Sequence, residues 1–78
     1  MNMNKQVIYV FVDDRTEDAA VALDPITYEG IDDWQQVGEV TSMSELMWVL
    51  EDNVFDFEYF KDFMETMPRD IYDILNQD

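Results

Sequence analysis

The spacing of apolar residues changes along this chain, and each change marks a different kind of element. Val7-Ile8-Tyr9-Val10-Phe11-Val12 is an unbroken, charge-free run of β-branched and aromatic residues. It predicts a strand buried on both faces and central in its sheet. Asp13 to Asp18 (DDRTED) reads as a polar turn. Ala19 to Leu23 reads as a second strand, antiparallel to the first, in competition with a short helix capped by Thr16. Asp24-Pro25 breaks that segment. Ile26 to Asp33 keeps no single period, and Gly30 with Asp32-Asp33 points to turns. Trp34 to Thr41 alternates as a third strand, weakest at Val37 and Gly38.

From Ser42 onward the period is helical. Ser42-Met43-Ser44-Glu45 matches a capping box, in which the hydroxyl and the carboxylate satisfy opposite ends of the first turn. Met43, Leu46, Met47 and Leu50 then fall on one apolar face, and Asp52-Asn53 closes the helix. A second helix is predicted from Val54 to Met67. Its core side carries Phe57, Phe60, Met64 and Met67, with Val54 and Phe63 at the margins. Pro68 stands in the first turn of a third helix, where its missing N–H costs little, and Ile71, Ile74 and Leu75 form the buried side. The fold class is therefore α+β. A three-stranded antiparallel sheet in the N-terminal half packs against two or three C-terminal helices, in one domain spanning residues 1–78.

Composition sharpens this picture. Hydrophobic residues make up 47% and aromatic residues 14%, too much for a disordered acidic tail. The charge is the outlier: 19 acids against 4 bases give a formal net charge of −15 at pH 7. One-to-one pairing can neutralise at most four of those carboxylates, and the self-repulsion of the rest opposes compaction. Solubility alone needs a net charge of only about 2–8 in magnitude. Salt adaptation would account for acids but not for so many rings. The lack of a basic patch argues against direct binding to nucleic acid and disfavours an anionic membrane surface. Gln6 to Val12 is too short for a targeting segment and runs into Asp13-Asp14, and nothing approaches the ~20 apolar residues of a membrane span, so a cytoplasmic protein is expected.

The same inventory removes most chemistry. With no Cys and no His there is no thiol nucleophile, imidazole base or ordinary zinc site. Ser42 and Ser44 serve better as capping residues than as nucleophiles, and two glycines make no phosphate loop. A calcium loop starting at Asp13 would place Arg15 at a ligand position and Asp18 where glycine is needed. No enzyme, cofactor or dedicated metal site is expected.

What remains is the mixture of acids and rings. Phe55 to Glu65 (FDFEYFKDFME) packs five aromatic rings and four carboxylates into eleven residues. On a wheel of ~100° per residue, Glu58, Asp62 and Glu65 share one side, while Asp56 adds a fourth acid and Phe55 and Tyr59 lie beside them. Like charges at these spacings cost roughly 0.2–0.5 kcal/mol per pair in a helix. The habit recurs: Trp48 shares a side with Glu45, Glu51 and Asp52, and Tyr72 stands near Asp70 and Asp73. A solvated face explains any one patch. Together, Glu45, Trp48, Glu51, Asp52, Asp56, Glu58, Tyr59, Asp62, Glu65, Asp70 and Asp73 form the candidate partner-binding set.

In size, charge and the acid–aromatic mixture of residues 45–73, the chain resembles the small acidic inhibitors of phages and plasmids that mimic nucleic acid, including anti-CRISPR and anti-restriction proteins. That resemblance implies a non-enzymatic inhibitor that blocks the basic DNA- or RNA-binding groove of a host defence complex or nuclease. Its partner would be a basic nucleic-acid-binding protein or a ribonucleoprotein complex. An antitoxin or immunity protein neutralising a basic toxic nuclease fits the same surface physics, and an acidic interaction module without inhibitory role is a third reading. The free edge of a three-stranded sheet could also pair with a second copy, giving a homodimer.

Overall fold

The computed structural model describes residues 6–16, 18–28, 30–31, 33–53 and 57–76, with the backbone alone at 57–59. The order is β1 (Ile8–Asp13), β2 (Ala19–Ala22), β3 (Trp34–Val40), α1 (Met43–Asp52), α2 (Phe57–Thr66) and α3 (Arg69–Leu75). The sheet runs β2-β1-β3, antiparallel throughout, so the uncharged first strand is central as its sequence demands. Ala19–Ala22 is a strand, which sets the Thr16-capped helix aside. Four strand boundaries move. β1 begins at Ile8 and takes in Asp13, β2 stops before Leu23, which is exposed, and β3 stops before Thr41.

Pairing register assigns the faces. Ile8 opposes Val40, and Val10 lies between Val21 and Gly38, on the side covered by helices. There Ile8, Val10, Val21 and Val40 join Leu46, Leu50, Met67, Ile71 and Leu75 in one buried cluster. Phe11 points the other way. Its ring stacks on Tyr28 at 5.0 Å, and Tyr28 stacks on Trp34 at 4.8 Å, both tilted. The segment after β2 thus folds back over the second face and buries Phe11, which is why the first strand is apolar on both sides.

The weak points of the third strand have a physical cause. Val10 pairs with Gly38 but Phe11 pairs with Gln36, so Val37 is the extra residue of a bulge and packs against the main core. Gly38 keeps its place because α1 crosses close above it: a Cβ there would sit 3.2 Å from the Val49 methyls. Asp24 organises the following turn, its Oδ1 accepting from the Ile26 and Thr27 N–H groups and the Thr27 hydroxyl. Gly30 and Asp33 take the left-handed φ values of 82° and 72° that this loop requires.

The helices follow the predicted wheels. Leu46 and Leu50 are fully buried, with Met43 and Met47 half-buried beside them. Val49, absent from the predicted face, is a core-edge residue because the sheet reaches it at Gly38. On α2, Phe60, Phe63 and Met64 lean on the core; the helix ends at Thr66, one residue short of the predicted end, and Met67 just beyond it is buried. Phe57 belongs to α2 but its side chain is not described, and Val54 and Phe55 lie outside the described residues. Pro68 is the N-cap of α3, one position before the first turn expected for it, and its carbonyl accepts from Tyr72 N–H at 3.0 Å.

Candidate functional site

Two residues, Thr41 and Ser42, connect β3 to α1 and carry its cap. Ser42 Oγ accepts from Glu45 N–H at 3.3 Å, while Glu45 Oε1 accepts from the Thr41 N–H at 2.7 Å and the Thr41 hydroxyl at 2.9 Å. The reciprocal pairing predicted from the sequence is present, with the carboxylate reaching Thr41 one residue before the cap. Glu45 is exposed but committed to this joint, so its charge supports the site while its oxygens hold the helix start.

One turn on, Trp48 is 75% exposed. Its neighbours on the outer face of α1 are Ser44, Glu45, Met47 and Glu51, which line a shallow open hollow. Asp52, at i+4 from Trp48, is exposed as well. Glu51 and Asp52 occupy the last turn, which holds no basic residue. They stand at the negative end of the helix dipole, where cations are favoured and acids are not. Asn53 closes the helix, donating from Nδ2 to the Val49 carbonyl at 2.8 Å.

The other predicted acids divide as follows. Asp62 and Glu65 are exposed on α2, separated by ~4.5 Å of helical rise. Glu58 and Tyr59 lie in α2 without described side chains, and Asp56 falls outside the described residues. Asp70 and Asp73 are exposed on α3, with Tyr72 between them at 39% exposure. Asp73 is not unpaired: Arg69 Nε lies 3.5 Å from its Oδ1, an exposed i,i+4 pair of the kind that contributes little.

The sequence passed over two features. Leu23, expected at the end of the second strand, and Ile26 and Ile31, in the stretch expected to turn, are exposed together on the segment that covers Phe11. Asp13 was assigned to a solvated turn, yet it is only 7% exposed. Its Oδ1 accepts from Arg15 N–H at 2.8 Å and Thr16 N–H at 3.3 Å. The Arg15 N–H bond, aided by Thr16 and the Arg15 charge, holds its pKa below the ordinary carboxylate value against the upward push of burial. The DDRT spacing is the signal for such an Asx turn. Nearby, Asp14 N–H donates to the Asp33 carbonyl at 2.8 Å and Arg15 Nε lies 3.5 Å from Asp33 Oδ2, tying the first hairpin to the returning chain.

Among the described residues, no cluster of three or more acids is close enough to hold a metal ion, and no helix is long and apolar enough to cross a membrane. No family model, curated protein or solved structure matches the chain. Any functional reading therefore has to come from the surface itself.

Proposed function

We infer that this chain is a non-enzymatic inhibitor, acting in the cytoplasm of a bacterial host, that presents carboxylates in place of phosphates to a basic DNA- or RNA-binding groove. A defence complex or nuclease of the anti-CRISPR or anti-restriction target type is the partner. One observation carries the reading: outward acids stand beside exposed rings on separate helices, with Trp48 and Tyr72 at 75% and 39% exposure. Duplex DNA shows one negative charge per ~1.7 Å of axis, and helical carboxylates a few ångströms apart reproduce part of that density. Exposed rings supply what charge alone lacks, an apolar anchor that excludes water at the centre of an interface. Long-range attraction to a cationic groove would speed the encounter.

The test is competition. Purified chain is added to RNA-guided nucleases, restriction complexes and other basic nucleases, and their binding to labelled DNA or RNA is measured. Loss of substrate binding by at least one of them, reversed by added salt, is expected. Undiminished substrate binding across the whole set would overturn the reading.

A further inference from the structure

We propose that the outer face of α1 is an arginine-binding surface, on which Trp48 stacks a guanidinium of a cationic partner segment while Glu51 and Asp52 receive its charge; this rests on the acidic-docking reading above. Three features converge on it. Trp48 stands out of the fold at 75% exposure, so its ring face is open to a ligand. The shallow hollow around it is bounded by the half-buried Met47 and by Ser44, Glu45 and Glu51, mixing an apolar floor with an acidic rim. The negative end of the α1 dipole lies in the same turn as Glu51 and Asp52, and that turn holds no basic side chain to offset it.

The occupant follows from charge and shape. A chain of net charge −15 selects a cationic partner, and the indole selects a cation with a flat, weakly hydrated face. Guanidinium meets both demands, stacking on an aromatic ring while its edge donors bind a carboxylate bidentately. A lysine ammonium is compact and strongly hydrated, so it satisfies the acids but gains less from the ring.

The probes are octa-arginine and octa-lysine peptides, equal in charge, titrated calorimetrically into the full chain at low salt. Wild type should bind octa-arginine more tightly. Trp48→Ala should weaken octa-arginine by roughly two- to fivefold and erase the preference, leaving octa-lysine nearly unchanged. Trp48→Phe should keep part of it, and Ile26→Ala, at an exposed apolar position outside the acid–ring set, should keep all of it. Circular dichroism checks that each variant is folded. Equal binding of both peptides by wild type, or a preference that survives Trp48→Ala, overturns the arginine assignment alone; an apolar pocket as the true receiver of Trp48 would give that result. Failure of both peptides to bind would remove the acidic-docking reading with it.

Discussion

Gly38 lies directly beneath Val49: a methyl group on its Cα would stand 3.2 Å from both Val49 methyl carbons. This approach sets how closely α1 rides on β3, and so the height at which Trp48 is displayed. Gly38→Val should cost about 1–3 kcal/mol by overpacking. In a Val49→Ala background the added cost should fall, because the opposing methyls are gone. Chemical denaturation of the four chains in the cycle measures the coupling, and strict additivity would show that the contact is not the constraint.

The α1 cap offers a second test. Ser42→Ala should destabilise the fold by about 0.5–2 kcal/mol through loss of the bond to Glu45 N–H. Glu45→Gln should be milder than Glu45→Ala, since an amide oxygen can still accept from Thr41. Thermal melts of the three variants give the order.

Stability should increase with ionic strength. Repulsion among 19 acids opposed by 4 bases is screened over a Debye length of ~10 Å at 0.1 M salt, so the folded state gains most. Glu51→Lys and Asp52→Lys should likewise raise the melting midpoint by a few degrees while weakening any cationic ligand. A midpoint indifferent to both salt and these reversals would show that repulsion does not limit the fold.

Asp13 predicts a pH dependence with a definite sign. Its folded pKa is held below the ordinary 3.8, chiefly by the Arg15 N–H, so its carboxylate stabilises the fold at neutral pH. That contribution is complete above the unfolded value and disappears as pH falls through the folded one. Asp13→Asn should therefore be less stable than wild type at neutral pH, and the gap should narrow as pH falls below the ordinary carboxylate value of 3.8. Urea midpoints across that range decide it; a gap that widens in acid would reverse the assignment.

Inhibition should respond to the acids of α2 independently of α1. Replacing Glu58, Asp62 and Glu65 by lysine should abolish inhibition of a target found by competition while leaving the circular dichroism spectrum folded. Full retained inhibition would place the interface away from this helix.

Much of this architecture is legible in the sequence because strong local signals agree with the packing. The charge-free run around Val10 can be satisfied only by a central strand, and Ser42 to Glu45 announces its helix through hydrogen bonds made within one turn. What escapes is non-local. The close packing of Gly38 beside the bulge at Val37 involves Val49 of α1, and the burial of Phe11 involves Tyr28 returning across the sheet. No window around either position contains its partner. In the candidate site, the wheel separates Trp48 and its acids from Leu46 and Leu50 correctly, since one helix fixes both faces. The capping box already commits Glu45 to the helix start, though not to Thr41 in particular, and the wheel does not reveal that Asp73 is held by Arg69.

The two-residue link between β3 and α1 has a mechanical consequence. With Thr41 clasped by Glu45 on one side and Ser42 capping on the other, the helix has no slack to swing outward from the strand. A partner of the proposed kind would therefore meet a stiff, preformed ledge. Little order has to be created on arrival, so complex formation should show a small heat-capacity change, in contrast to partners that fold as they bind.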